Sequence, residues 1–462
     1  MTTRNSSAET APAATRAAGA MAAAEQLLHA IRSRASTAEA EATVQHGTSA
    51  LTRFANGFVH QNVAEELSHV LVRVALDRHV ATARLDGPTD PDSLGRLADR
   101  VLEAARVRPA DPEWPGLTPP APPPPVDHWD DATALATPDD RAAIVAAFVA
   151  ASRGLETAGA CSTDAVVAAY ANTEGQQLAG RTTWASLDGI ARTATSDGSG
   201  RQASVSVGDI DGRLVGERAA RKARDGEGAG DIEPGRYEVI LEPQAVANVL
   251  QFLFVYGFNG RPVEERRSFV RIGDAQFDPS VTLRDDVTDA GTVGLAFDAE
   301  GTPKRSVDVV SAGVTRGVVH TRRTALAAGT DSTGNAVEGG EQWGALPGNP
   351  VLDAGVASDA ELIAGVERGL LVTDFWYTRI LDPRTQVVTG LTRNGVWLIE
   401  EGRIARPVSN LRFTQSFVEA LGPGQVRAVS AARALVPGGM ESFHLVPSLH
   451  LASWNFTGGA KG

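Results

Sequence analysis

The chain has 462 residues, which is more than one hydrophobic core usually serves, so we expect at least two domains. Its formal net charge of −13 at pH 7 argues against a general nucleic-acid surface. No apolar run is long enough to predict a membrane span and no secretory signal is visible, so we expect a cytoplasmic protein. Cys161 is the single cysteine, which excludes an intramolecular disulfide.

Sequence periodicity at the start of the chain predicts an antiparallel sheet flanked by helices. Residues 1–20 are rich in Ala, Thr and Ser, and we expect a disordered tail there. Apolar residues at helical spacing predict two helices, at 21–33 and 91–106. Between these helices, short strands are predicted at 41–45, 49–54, 58–62, 68–77 and 79–85.

Residues 107–126 are so dense in proline that they cannot enter a helix or a sheet, and they favour a stiff connector. We therefore predict an N-terminal α/β part over 21–106, a linker over 107–126, a central α+β part over 127–234 and a β-rich C-terminal domain over 235–462. In the central part, Thr137-Pro138 begins a helix. Strands are predicted after it at 157–161, 166–171, 181–187 and 189–197.

A short alternating strand over residues 237–241 leads into a strongly apolar helical segment. Pro243 suits the first helical turn, where its missing N–H costs nothing. The apolar residues then follow one helix face: Val246, Val249, Leu250, Leu253 and Phe254. We expect this helix, at 243–258, to lie in the middle of the C-terminal domain, and the fold class to be α+β.

Several phrases spread along the chain resemble a known family. They are R-F-A-N-G-F-V-H-Q (53–61), A-Y-A-N-T-E-G (169–175), F-D-A-E-G-T-P (297–303), S-T-G-N (332–335), G-L-L-V-T (369–373) and a hairpin phrase at 390–408. In combination, the sequence resembles the TldD/PmbA family, long described as modulators of DNA gyrase and understood as paired subunits of a zinc-dependent peptidase.

The resemblance implies a metal motif that this chain lacks. In the TldD-type subunit the apolar helix carries His-Glu-x-x-x-His, and alignment on Gly257 and Gly260 places Gln251, Phe252 and Tyr256 in those three positions. A Gln amide is a poor zinc ligand, Phe has no lone pair, and a Tyr phenol must lose a proton to ligate well. The family's further cysteine ligand is also missing, so the chain resembles the PmbA/TldE-type subunit, with zinc expected in its partner and no cofactor of its own.

Other candidate chemistry has ordinary structural explanations. Cys161 could be a nucleophile, but no histidine is near it in sequence, and a buried structural cysteine is the favoured interpretation. His444 and His450 lie six residues apart, with Pro447 between them, and core or surface roles are favoured over a metal site.

The resemblance implies a subunit of a heteromeric zinc metallopeptidase that acts on unfolded peptides, paired with a TldD-type zinc-bearing chain. A polar turn at Ser332, Thr333, Gly334 and Asn335 is a candidate contact with peptide or partner, and a plain tight turn is the alternative. Phe375-Trp376 and residues 413–417 are candidate interface anchors, with core packing as the alternative. Two further readings stay open: a stand-alone enzyme, and a regulatory binding protein of the gyrase-modulator type.

Overall fold

The structure, a computed structural model, describes residues 13–439 and 442–459. Its N-terminal half contains six strands and five helices, with a 3-10 turn at Val207–Asp209. In chain order these elements are α1 (Ala13–Arg34), β1 (Glu39–Ala55), β2 (Phe58–Leu76), β3 (His79–Asp86), α2 (Pro91–Val107), α3 (Asp131–Ala134), α4 (Pro138–Ala151), β4 (Glu156–Asn172), β5 (Gln177–Arg192), β6 (Asp197–Ser204) and α5 (Gly212–Asp225).

These six strands form one antiparallel sheet in the order β3-β2-β1-β4-β5-β6. β1 pairs with β4 along nearly its whole length, from Glu41 opposite Asn172 to Ala55 opposite Ala158. The expected boundary at residues 107–126 therefore needs correction, because strands from both sides of the proline-rich segment share a single sheet.

Several predicted boundaries in this half were also wrong. The strands predicted at 58–62 and 68–77 are one strand, β2, and those predicted at 157–161 and 166–171 are one strand, β4. α1 begins at Ala13, so residues 13–20 are helical, whereas the rest of the expected tail lies outside the described residues. The strands predicted at 41–45 and 49–54 are one continuous strand, in which Gly47 is not a turn. A Cβ at Gly47 would lie 2.4 Å from the carbonyl oxygen of Ala165, so close pairing with β4 explains this glycine.

The described part of the C-terminal half, up to residue 439 and from 442 to 459, contains eleven strands and five helices. In chain order they are β7 (Gly235–Leu241), α6 (Pro243–Tyr256), α7 (Gly260–Glu264), β8 (Leu283–Asp285), β9 (Val307–Ser311), β10 (Val314–Thr315), α8 (Arg322–Ala328), β11 (Pro350–Leu352), α9 (Asp359–Ala364), β12 (Arg368–Asp382), β13 (Val387–Glu400), β14 (Arg403–Pro407), β15 (Leu411–Ser416), α10 (Phe417–Ala420), β16 (Val426–Pro437) and β17 (Phe443–Gly459).

The larger sheet runs β10-β9-β8-β11-β17-β15-β13-β12-β7, with β14 paired to β13 and β16 paired to β17. A further pairing between β17 and β7 closes β7, β12, β13, β15 and β17 into a ring. α6 packs against β12, β16 and β17. The α+β class, with a smaller N-terminal sheet and a larger β-rich domain around one helix, is confirmed.

α6 lies at the centre of this domain because its apolar stripe is buried. Val246, Leu250, Leu253 and Phe254 have no exposed surface and join the largest apolar cluster of the chain. The helix ends at Tyr256, slightly before the expected end. The prediction of a central helix, made from its apolar period, is confirmed.

Candidate functional site

The face of α6 opposite the core carries three amides. Gln244, Asn248 and Gln251 follow one another at i, i+4 and i+7, so they share a face, and all three are half-buried. They line a groove of about 440 Å³ between α6, β12 and the end of β16. A volume of this size is in the range of small-ligand sites, about 300 to 1,000 Å³.

The three positions aligned with the metal motif point in different directions. Gln251 lies in the groove, where its Oε1 accepts a hydrogen bond of 3.2 Å from the backbone N–H of Gly439. Phe252 is only 9% exposed and packs edge-on against Phe417. Tyr256 stacks on Phe252 with ring centroids 5.7 Å apart.

This set of side chains does not fit a zinc ion. One of them is an amide already engaged with the backbone, and the other two are aromatic rings packed together. Across residues 13–439 and 442–459, no three His, Cys, Asp or Glu side chains are grouped so that they could hold a metal ion.

Two groove acceptors have no hydrogen-bond donor within the described part of the chain. Gln244 Nε2 donates to the carbonyl oxygen of Pro437 at 3.1 Å, which fixes the orientation of this amide and leaves its buried Oε1 without a donor. Asn248 contacts Thr378 Oγ1 at 3.3 Å, and its other amide atom is also unsatisfied. A buried polar atom without a partner costs about 1 to 3 kcal/mol, so each of these two acceptors favours a contact with a polar hydrogen, from water or from a ligand.

A charged pair closes one end of the groove. Arg201 Nη1 of β6 lies 2.7 Å from Asp374 Oδ2 of β12, and its Nε lies 3.0 Å from Asp188 Oδ2. Burial raises the pKa of Asp374 above its usual range, and the charge of Arg201 opposes that shift. This pair ties the N-terminal sheet to β12, so both sheets contribute to the groove.

The other side of the groove has an aromatic rim. Trp376 is 47% exposed, and the guanidinium of Arg393 lies 4.0 Å from the centroid of its ring. Arg379 lies over Tyr377 at 5.6 Å.

Only one of the predicted interface anchors reaches the surface. Phe375, Phe413 and Phe417 are buried and pack around Trp454, so core packing, the alternative, is the correct interpretation for these rings. Trp376 stays a candidate anchor because almost half of it is exposed.

The polar turn at 332–335 is used mainly within the chain. Thr333 and Asn335 are buried, and Asn335 donates to the carboxylate of Asp285 and to the carbonyl of Leu346. Ser332 donates to the carbonyl of His320, and Gly334 takes a left-handed φ of 79°. Ser332 is half-buried, so contact with a peptide or partner stays a prediction that rests mainly on this residue.

Cys161, His444 and His450 each make contacts that are typical of structural residues. Cys161 is buried, and burial raises the pKa of its thiol to about 12, which keeps the sulfur protonated and unreactive. His444 contacts the carbonyl of Ala247 on α6, whereas His450 lies 2.8 Å from Glu238 on β7. The two rings therefore serve different contacts, as the core interpretation predicted.

A larger cleft of about 910 Å³ separates the N-terminal sheet from the C-terminal domain. The most buried charged groups of the cleft pair with one another: Arg73 pairs with Glu41 and Glu300, and its guanidinium lies 5.1 Å from the centre of the Trp114 ring. Tyr170 also donates to Glu41 at 2.7 Å. Because this network is complete without a ligand, the groove on α6 is the stronger candidate site.

Sequence reasoning missed most of the groove. Asp374, Arg201, Arg379 and Arg393 come from distant segments that only the fold brings together. The amides at 244, 248 and 251 could have been found, because three amides at helical spacing in an otherwise apolar helix form a detectable pattern.

Comparison with known proteins identifies the class of this chain. Residues 234–458 match the model of the PmbA/TldA metallopeptidase C-terminal domain, a range that includes β7, α6 and all the groove residues except Arg201. The C-terminal part of the chain therefore matches the TldD/PmbA family, and the resemblance that its phrases predicted is confirmed.

A curated relative and several solved structures agree with this placement. A metalloprotease of Methanothermobacter thermautotrophicus is 25% identical over 218 residues, so the match spans 46% of this chain and 46% of that relative. The structure of TldE from Thermococcus kodakarensis has a TM-score of 0.86 at 18% identity, covering 94% of this chain and 99% of that one.

Two further structures, each described as a modulator of DNA gyrase, share the fold. The protein from Thermotoga maritima has a TM-score of 0.81 at 18% identity, covering 94% of this chain and 100% of that one. The protein from Bacteroides thetaiotaomicron has the same TM-score and identity, covering 95% of this chain and 98% of that one. Within the described segments, no helix combines the length and the apolar character needed to cross a membrane.

Proposed function

We propose that this chain is the TldE/PmbA-type, non-metal subunit of a heteromeric zinc peptidase that acts on unfolded peptides. The observation that carries the proposal is α6: its buried face is intact, while Gln251, Phe252 and Tyr256 hold the positions of the metal motif. The similarity to TldE supports the same subunit type. The metallopeptidase domain and the metalloprotease relative support proteolysis as the activity of the complex.

In this proposal the zinc belongs to a TldD-type partner, and the present chain has no cofactor. Its tasks are to contact the zinc subunit and to form one wall of the peptide chamber. The groove on α6 faces that chamber, and the exposed patch of Trp376, Tyr377 and Leu381 on β12 contributes to the contact. Ser332 at the 332–335 turn is a second candidate contact, and the complex is expected in the cytoplasm.

The proposal is tested by co-expressing this chain with a relative from the same genome that has an intact His-Glu-x-x-x-His. We expect one mixed complex by size-exclusion chromatography, and cleavage of an unstructured peptide that is lost when this chain is omitted. Leu381→Lys should weaken co-elution, because a charge would enter an apolar contact. Leu326→Lys is the matched control, since Leu326 is 60% exposed and Leu381 is 59% exposed.

Two outcomes would favour other functions. Cleavage by the zinc subunit alone, with no co-elution, would contradict the subunit proposal and favour a stand-alone role for this chain. Co-purification with gyrase without proteolysis would favour a regulatory role, in keeping with the description of the two structures from Thermotoga maritima and Bacteroides thetaiotaomicron.

A further inference from the structure

The turn between β1 and β2 presents an asparagine followed by a glycine. Asn56 and Gly57 connect Ala55 to Phe58, the last pair of residues in register between the two strands. Their φ angles are 52° and 80°, as a two-residue type I′ turn requires. Both residues are exposed, and the nearest described atom that a Cβ at Gly57 would meet is a methyl carbon of Val149, 3.8 Å away. The tip of this hairpin is therefore open to water.

An asparagine followed by a glycine can react with its own backbone. The glycine nitrogen attacks the side-chain carbonyl carbon, and the new C–N bond closes a succinimide ring. The side-chain nitrogen leaves as ammonia and carries away the proton of the attacking N–H. Water then opens one of the two C–N bonds of the ring, which leaves either aspartate or isoaspartate. Glycine favours the reaction because it has no β carbon to shield its nitrogen and because its backbone is the least restricted of all residues.

The chain contains two other Asn-Gly pairs, and the first of them is held by the fold. Asn259 has no exposed surface, and its side-chain amide makes four hydrogen bonds to the backbone, at 2.7 to 3.2 Å. The N–H of Gly260, which would be the nucleophile, donates to the carbonyl oxygen of Val319 at 2.9 Å. Both reacting groups of this pair are therefore engaged within the domain.

The second pair lies where the pairing of β13 with β12 shifts register. Asn394 is only 9% exposed, and a Cβ at Gly395 would lie 2.1 Å from the ring of Trp397, so the indole covers this glycine. Neither restraint is present in the β1–β2 turn. Within residues 13–439 and 442–459, no hydrogen bond holds the amide of Asn56 or the N–H of Gly57.

We infer that Asn56 is a modification site, at which spontaneous deamidation converts the turn to an aspartyl or isoaspartyl turn. The product adds one negative charge to the chain, and the isoaspartyl form also adds a methylene group to the backbone of the turn. The new charge lies beside Val149, in the last turn of α4, where the helix end disfavours negative charge. The isoaspartyl form also exposes an α-carboxylate, which is the group that isoaspartyl methyltransferases esterify. The inference is independent of the proposed function.

The test uses the full wild-type chain. The folded protein is incubated at mildly alkaline pH and digested, and mass spectrometry quantifies deamidation in the peptides that contain Asn56, Asn259 and Asn394. We expect Asn56 to react at least about tenfold faster than the other two, because those two react only after local opening of the fold. In denaturant the three rates should converge, since no residue is then protected. A sample digested before incubation gives the background, and an isoaspartyl methyltransferase with a labelled methyl donor should label the Asn56 peptide of the aged chain.

A substitution at the turn tests the same site through the charge of the whole chain. Ageing of the wild-type chain should produce a more acidic form on ion-exchange chromatography. Asn56→Gln should suppress this form, because a glutamine side chain must close a larger ring and does so far more slowly. Asn62→Gln is the matched control, since Asn62 is an exposed asparagine of β2 that is followed by Val63 rather than by glycine. This control should age like the wild-type chain.

Two results would overturn the inference. One is a rate at Asn56 in the folded chain that is no higher than the rates at Asn259 and Asn394. The other is an acidic form that accumulates in the Asn56→Gln chain as fast as in the wild-type chain. If Asn56→Gln fails to fold, the peptide quantification on the wild-type chain still decides, because it needs no substitution.

Discussion

The two faces of α6 differ in chemistry although they belong to one helix of 14 residues. The inner face carries Val246, Leu250 and Leu253, which are fully buried against strands of the C-terminal ring. The outer face carries Gln244 and Asn248, which line the groove. The first face fixes where the helix lies, and the second decides what the groove can bind.

Apolar contacts hold this helix in place in the present chain. The core contacts come from residues that the metal motif does not use, so the helix can keep its place when the motif is replaced. Phe252 is the exception, because it occupies a motif position and also packs on Phe417. The resemblance to the TldD/PmbA family implies a catalytic carboxylate at this position, where this chain has a residue of its core.

The largest effect on stability is expected at Phe252, and a much smaller one at its sequence neighbour Gln251. Phe252→Glu should lower the free energy of unfolding by about 4 kcal/mol or more, because it removes a buried ring and brings a carboxyl into an apolar cluster. Gln251→Glu, one residue away on the groove face, should cost about 1 kcal/mol or less. Urea unfolding followed by far-UV circular dichroism measures both.

The difference in unfolding free energy between these two variants tests whether residues 251 and 252 belong to different faces of α6. Similar losses for the two variants would show that Gln251 is as much a part of the core as Phe252. A loss confined to Phe252→Glu would show that a carboxylate at this motif position destabilises the core of this chain.

The contrast between the faces also explains what could be predicted from the sequence. The spacing of the apolar residues predicts the inner face of α6 directly. β7, α6 and the β13–β14 hairpin also lie close to their predicted positions. The extent of the N-terminal sheet was missed, because the pairing of β1 with β4 joins segments more than a hundred residues apart. The groove was missed for the same reason: its Arg201–Asp374 pair connects the two sheets.

A second prediction concerns the histidine that packs beneath α6. Burial lowers the pKa of His444 to about 4, from an ordinary value of about 6.5. The unfolded chain therefore binds a proton at this position between pH 6.5 and 4 that the folded chain does not. Stability is fully present above pH 6.5 and falls with pH through this window, by about 3 kcal/mol for this group.

The contribution of His444 is isolated by substitution. His444→Gln can still donate to the carbonyl of Ala247 but cannot titrate, so its unfolding free energy should fall less steeply between pH 6.5 and 4 than that of the wild-type chain. His29→Gln, at an exposed position of α1, should keep the full slope. Burial also lowers the pKa of His128 and His320, so some slope remains in every variant. Identical slopes for His444→Gln and wild type would show that His444 is not the group responsible.

The smallest expected effect is that of zinc on a variant of α6 with two added histidines. It tests whether the motif positions of this helix can bind a metal ion. Gln251→His combined with Tyr256→His should give no rise in melting temperature with added zinc, and no zinc by elemental analysis beyond that of the wild-type chain. Five helical residues place the two imidazoles about 140° apart around the axis, so both cannot reach one ion across a regular helix. The cysteine that could add a ligand, Cys161, is buried in the N-terminal sheet.

A second pair of histidine substitutions on the same helix serves as the control, because its spacing allows both imidazoles to reach one zinc ion. Gln244→His with Asn248→His places two imidazoles one turn apart on one face, and should give a measurable zinc-dependent rise in melting temperature. If the 251 and 256 pair instead retains one zinc per chain after mild chelation, the surroundings must still supply a third ligand and a distorted helix. In that case the outer face of α6 would be a metal site that has lost two side chains, and the difference between the two faces would lie in those substitutions alone.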